Sequence, residues 1–388
     1  MRRFVFLAKD RSTLSLSTSR PSLPLGNVCS VFESDYYFHF INSFMPITKS
    51  DTPVDINKRR IINGGDADVM QLYPMRHKFA WEAYNVGNAN HWLPTEISMQ
   101  ADIEQWRSMN GLTPEERQAF ETVLGFFTTA DSIAANNVVL ALYKHITSPE
   151  CRMYLLRQGY EEAIHTHAYQ YIVESLGMDE GRIFNMYREV EAIYNKDNFI
   201  LGFNDGIFDP NFKTGTFAND QKFLENLCVF SLILEGIFFY SSFAVMFGFQ
   251  RQRKLVGAAE QIQYIMRDES QHLNFGINMI NAIKEEQPEL WTPEFQAHII
   301  DLVKRAVVLE YTFAQTVFPK GIFGMNADGF KQYIEHIADR RLQTVGLPPQ
   351  FNVENPFPWM SEAIDLAKEK NFFETRVTEY KVGGQLEW

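Results

Sequence analysis

The sequence predicts an all-α fold, a bundle of long helices around one wide core. Three observations predict it. Thr113-Pro114-Glu115-Glu116, Ser148-Pro149-Glu150 and Thr292-Pro293-Glu294 each set a capping hydroxyl before a proline, with acids in the turn that follows. That arrangement opens helices. The segments behind these starts are long, apolar on a helical period and free of internal proline. Finally, no convincing run alternates apolar and polar residues as a half-buried strand does.

Taken in order, residues 1–60 stand apart. MRRF leads into the Ser-, Thr- and Pro-rich STLSLSTSRPSLPLG, with few acids. This reads as a disordered extension outside the fold rather than a cleavable targeting segment. From residue 72 the pattern is helical, and 72–346 is expected to be one bundle. A short helix over 99–109 precedes long ones over 114–146 and 149–176, the second closed by Gly177. Another short helix covers 180–195. The most apolar helix spans 219–247, with Gly248 as its stop. Helices over 255–286, 293–318 (closed by Pro319-Lys320-Gly321) and 327–344 complete the set. Beyond 347 the sequence is Pro-rich and then charged, so 347–388 is expected to be a strapped segment followed by a mobile tail.

Composition narrows the function. A net charge of −12 argues against a sequence-independent nucleic-acid surface. Thirty-three Phe suggest a wide, dry interior. Cys29, Cys151 and Cys228 lie far apart without a CxxC, which fits a reducing, cytoplasmic setting and gives no thiolate-zinc framework. Residues 226–249 are long and apolar enough to cross a bilayer. Glu235 sits inside them, however, and no second such segment is seen to shelter its charge, so a buried helix of a soluble bundle is expected, with no membrane partner.

The chemistry begins at EEAIHTHAYQYI, residues 161–172. At ~100° per residue, Glu162, His165 and Tyr169 lie along one line of a helix, while His167 points away and Tyr171 falls on the opposite face. A second Glu-x-x-His, Glu269 and His272, sits in another apolar helix. Residues at i and i+3 share a face and can reach one ion. Two further acids occupy apolar surroundings: Asp131 in GFFTTADSIAANNVV and Glu235 in SLILEGIFFY. A buried carboxylate needs a partner base or a metal, and neither segment offers a base. Asp131, Glu162, Glu235 and Glu269 bring four negative charges, which two divalent ions would cancel. One acid from each of two helices, plus Glu-x-x-His from each of two others, is the ligand set of ferritin-like dimetal carboxylate bundles. Oxygen-rich ligands with one imidazole per ion suit iron or manganese better than zinc or copper. His39, His77, His91, His145, His298 and His336 lack a liganding neighbour at helical spacing and are assigned no role.

From about Trp92 to Tyr380 the sequence resembles the radical-generating small subunit of class I ribonucleotide reductase. The resemblance is carried by ADSI at Asp131, EEAIHTHAY at Glu162 and His165, LEGIFFYSSF at Glu235 and RDESQHLNFG at Glu269 and His272, in matching order and spacing. It implies two metal ions on these six ligands and an oxidant, O₂, reduced there. Tyr169 then stores a radical inside an apolar pocket of Phe239, Phe243 and Ile265. It further implies radical transfer by Trp92 and Asp268 to Tyr380 in the tail, which docks on a separate large subunit that reduces ribonucleotides. A homodimer is also implied. NPFPWMSE and NFFETRVTEY look close to the branch in which Phe replaces the radical tyrosine and a mixed manganese–iron pair stores the oxidant. Tyr169 and Asp131 instead follow the tyrosyl-radical pattern, so two irons are expected first, two manganese or a mixed pair second. Two rivals on the same bundle are an oxidase acting on a small molecule, which would need an apolar tunnel to the metals, and an iron store of ferritin type.

Overall fold

The computed structural model describes residues 55–65, 70–204 and 206–360, and the unit that begins at Pro53 carries all of them. Among the described residues there are eleven α-helices of eight residues or more: α1 Lys78–Ala89, α2 Gln100–Arg107, α3 Pro114–Asn136, α4 Pro149–Leu176, α5 Glu180–Glu189, α6 Glu191–Leu201, α7 Phe217–Cys228, α8 Phe239–Arg251, α9 Val256–Glu286, α10 Pro293–Val317 and α11 Ala327–Thr344. Two π-helical segments interrupt the rods. One, 137–142, continues α3; the other, 229–238, joins α7 to α8. Among the described residues there is no β-strand, only the isolated bridges Ile62–Ile146 and Ile322–Met325.

The predicted caps form. Thr113 accepts from the Glu116 amide while Glu116 reaches back to the Thr113 amide, a full capping box. Ser148 and Thr292 accept from the amides of Cys151 and Phe295. Gly177 closes α4 in the left-handed region at φ 67°. The start of α9 is capped from a distance: Asp102 on α2 accepts from the amides of Gly257 and Ala258 at 3.0 and 2.7 Å.

Several expectations are corrected. Gly248 does not stop its helix, which runs on to Arg251. That glycine instead admits Met325, whose Cε would lie 2.3 Å from a Cβ there. The 180–195 helix breaks at Val190, whose extended backbone (ψ 106°) separates α5 from α6. No bounds were legible for α1, whose cap position, His77, makes no side-chain cap bond. Arg59, Ile61 and Ile62, at the end of the expected extension and just beyond it, already lie on the bundle. Arg59 is buried and donates to the carbonyls of Gln71, Leu72 and Pro74, and the Ile61 amide donates to Glu286. By length and composition Pro114–Leu142 also passes as a membrane span, besides Phe217–Arg251, so 226–249 is not alone. Both are core elements here, their most apolar stretches 67% and 100% buried.

The core is aromatic. Phe126, Phe127, Phe238, Phe239, Phe243 and Phe247 are fully buried, and each is worth roughly 1.5–3 kcal/mol of transfer free energy. Helix α4 packs on α1, α3 and α9, and α9 packs on the 229–238 segment and α8. These contacts bring four rods around one central space. After α11 the backbone turns back, and Asp339 anchors it by accepting from the amides of Gln350, Phe351 and Asn352. Phe357 and Met360 are buried against the bundle.

Candidate metal centre

Asp131 comes from α3, Glu162 and His165 from α4, Glu235 from the π-helical 229–238 segment, and Glu269 and His272 from α9. All six are buried. Their ligand atoms fall into two overlapping groups: Asp131, Glu162, His165 and Glu269 in one, Glu162, Glu235, Glu269 and His272 in the other. Within each group the atoms lie within 4.8 Å of one another. Glu162 and Glu269 belong to both, so each would be within reach of either ion. Both imidazoles turn Nδ1 inward. His165 Nδ1 stands 3.0 Å from Glu269 Oε1 and 3.5 Å from Asp131 Oδ2. His272 Nδ1 stands 3.3 Å from Glu269 Oε2 and 3.4 Å from Glu162 Oε1.

These atoms fit a pair of cations and little else. Both oxygens of Asp131, Glu162 and Glu269, and Nδ1 of both histidines, are sealed from solvent and make no hydrogen bond of normal geometry. Each polar atom left that way costs about 1–3 kcal/mol. Two divalent ions would satisfy them and cancel the four carboxylate charges. Without ions, protons take part of their place. Burial pushes Glu162 up to about 8 and Asp131 up to about 6, and holds Glu235 well above the carboxylate range, with the Glu269 charge adding to each. Burial draws His165 and His272 down, but the surrounding carboxylates outweigh it and hold both imidazoles well above their ordinary value.

The outward ring nitrogens are held too, which fixes how each imidazole faces its ion. His165 Nε2 faces Asp268 Oδ2 at 3.4 Å; that same oxygen accepts from Trp92 Nε1 at 2.8 Å. Arg267 holds the other Asp268 oxygen at 3.0 and 3.1 Å. On the opposite side, His272 Nε2 donates to Glu161 Oε2 at 2.8 Å, and Arg157 Nε donates to Glu161 Oε1 at 2.9 Å. Gln158 Nε2 donates to Glu235 Oε1 at 3.0 Å.

Tyr169 is fully buried one turn beyond His165, and its hydroxyl makes no hydrogen bond of normal geometry. Burial, then the Asp131 charge, holds its phenol well above the usual value. Phe127 lies parallel to it, with ring centroids 5.5 Å apart and planes 2° apart. Phe243 stacks on Phe127 at 5.3 Å and Phe239 meets it edge-on at 6.0 Å. Phe239, Phe243 and Ile265 are all fully buried, Ile265 on α9 one turn ahead of Glu269.

The six ligand candidates therefore converge, Trp92 and Asp268 are hydrogen-bonded to each other, and Tyr380 lies outside the described residues. Sequence reasoning missed Phe127, Gln158, Glu161, Arg157 and Arg267. Signals existed for three of them. Phe127 precedes Asp131 by four, just as Ile265 precedes Glu269, and Arg157 stands four before Glu161 on one helix. Elsewhere the alternative for a buried acid is realised: Glu310 pairs with Lys196 at 2.6 Å, among the rings of Phe126, Phe238 and Phe313.

Four carboxylates and two imidazoles, carried on four packed rods, define a dimetal-carboxylate protein of the ferritin-like class. Comparison with known proteins then gives the family. The family profile "Ribonucleotide reductase, small chain" matches residues 69–356. The ribonucleoside-diphosphate reductase subunit beta of Chlamydia pneumoniae is 52% identical over 335 residues, spanning 96% of that protein and 86% of this one. The ribonucleoside-diphosphate reductase small chain of Nicotiana tabacum is 30% identical over 313 residues, 88% of that protein and 80% of this one. Among solved structures, the ribonucleotide reductase R2 subunit from Clostridium botulinum aligns with a TM-score of 0.72 at 28% identity, covering 94% of that structure and 79% of this one. The dimanganese(II)-NrdF of Streptococcus sanguinis shares the fold, with a TM-score of 0.62 at 20% identity over 96% of that structure and 75% of this one. The protein belongs to the ribonucleotide reductase small-chain family: it is a small subunit of ribonucleoside-diphosphate reductase with a buried dimetal carboxylate site.

Proposed function

We propose that Asp131, Glu162, His165, Glu235, Glu269 and His272 hold two ions, iron first and manganese or a mixed pair second, and that Tyr169 stores the radical. The observation that carries this is the pair of overlapping ligand groups sharing Glu162 and Glu269, beside a sealed phenol. When bound, the ions would supply the redox capacity to reduce an oxidant such as O₂ and to take one electron and one proton from Tyr169. The protein's own part is positional and protective. Phe127, Phe239, Phe243 and Ile265 keep water and reductants from the phenol. Asp131 is the carboxylate acting most strongly on that phenol. The Trp92–Asp268–His165 series offers a hydrogen-bonded path from the ligand set towards the surface. Tyr380 in the tail continues it to the large subunit. A cavity of about 10 Å³ adjoins Glu235 and His272. It has room for a water and not for an organic substrate.

The test is electron paramagnetic resonance of the reduced, metal-loaded protein after exposure to air, with metal analysis of the same samples. Wild type should give a tyrosyl signal that Tyr169→Phe lacks at equal metal content. An unchanged signal in the variant rejects Tyr169 as the radical site.

A further inference from the structure

The two imidazoles of the cluster are supported unequally. Asp268 Oδ2 is divided between Trp92, at 2.8 Å, and His165, at 3.4 Å. Glu161 Oε2 takes the proton of His272 Nε2 at 2.8 Å, and Arg157 steadies its other oxygen. Glu161 is only 2% exposed. Helix α1 closes over the pair at Gly87, where a Cβ would stand 2.9 Å from Glu161 Oε1 and 3.2 Å from Arg157 Cγ. With Nε2 donating to Glu161, the lone pair of His272 sits on Nδ1, facing Glu162 and Glu269. A second ligand of the same group is also steadied from α4, since Gln158 donates to Glu235.

We propose that Glu161 is a positioning residue that fixes the ring plane and tautomer of His272 and makes the Glu162/Glu235/Glu269/His272 group the tighter of the two ion sites. A carboxylate on the far nitrogen orients a metal-bound imidazole and strengthens it as a donor. The short, undivided bond to Glu161 does this better than the long, shared bond to Asp268. The inference rests on the two-ion reading of the cluster.

The experiment titrates the full-length protein with Mn(II) without oxygen, reading free Mn(II) by electron paramagnetic resonance. Anomalous diffraction at the manganese edge shows which group fills first. Wild type should bind two ions, the His272 group filling first. Glu161→Leu should weaken that ion by about 10–100-fold while the Asp131/His165 ion stays within about twofold of wild type. Glu161→Gln keeps an acceptor oxygen and should recover part of the loss. Equal weakening of both ions in Glu161→Leu would mean a general packing defect and overturn the proposal, as would unchanged binding. Should Glu161→Leu fail to fold, Arg157→Gln serves: releasing Glu161 should cost a few-fold at the His272 group alone, and no change there overturns the proposal. Wild type that binds no second Mn(II) would instead remove the two-ion reading itself.

Discussion

Glu162 shows at the scale of one residue how the fold stores demand for a metal. It is cut off from solvent, pushed up to about 8 by burial and by the Glu269 charge, and turned towards other ligands rather than donors. Asp131 sits at about 6 for the first of those reasons, and both imidazoles are held above their ordinary value. Each ion that binds must displace such protons, so affinity rises with pH. The sign for stability follows from the same shifts. Acids and imidazoles whose folded pKa is raised favour the fold most at low pH, and that contribution is lost as pH rises through the folded values. The metal-free protein should therefore weaken from about pH 4, where the unfolded carboxyls ionise, up to about pH 8, where folded Glu162 does, while the loaded protein gains cations in place of protons. Thermal unfolding of chelated and Mn(II)-loaded samples across that window should show the gap between them widening with pH. A constant gap would contradict this account of the site.

Helices were legible in proportion to how strongly their ends and faces were marked. Long helices opened by Thr113, Ser148 and Thr292 could be placed because a hydroxyl, a proline and early acids repeat a local rule. The ligands on α4 and α9 could be placed because Glu-x-x-His has a fixed meaning on a helix. The 229–238 segment was placed within the helix over 219–247, but its π-helical winding was not legible, because it is apolar on every side and carries no phase: a π-helix and an α-helix read alike there. Yet it presents Glu235, and wide helical turns of this kind recur at functional sites. The support Gln158 was equally hidden, and Glu161 could be matched to Arg157 but not to His272, since the partners Glu235 and His272 lie far along the sequence. What holds the 229–238 segment against α9 is Gly276. A Cβ there would fall 2.0 Å from Ser231 Oγ and 2.6 Å from Ser231 Cβ, one turn ahead of Glu235. Gly276→Ala should thus part the two elements, costing about 1–3 kcal/mol by overpacking. Urea unfolding would register the loss, and metal analysis should show the ion of the Glu235/His272 group depleted ahead of the other. An unchanged midpoint would show that the contact yields freely.

Across the whole molecule, the parts that make the site and the part proposed to use it are separable along the sequence. The six ligands, the Tyr169 pocket and the hydrogen-bonded supports all lie between Trp92 and His272, and the aromatic core that stiffens them is closed by α10 and α11. The described C-terminal strap is held by Asp339 and by burial of Phe357 and Met360, all before residue 361. Tyr380 and the charged stretch around it lie outside the described residues. Removing residues from Lys370 onward should therefore leave metal content, the tyrosyl signal and the thermal midpoint as in wild type, because no described ligand, pocket or cap is lost. If the tail carries the radical onward and docks on the large subunit, the same truncation abolishes ribonucleotide reduction in the mixed assay. A radical trapped in an intact but uncoupled bundle is the combination to look for. Full reductase activity of the truncated protein would refute the tail assignment. Loss of the tyrosyl signal itself would show that the tail bears on the site in a way its separation along the sequence does not suggest.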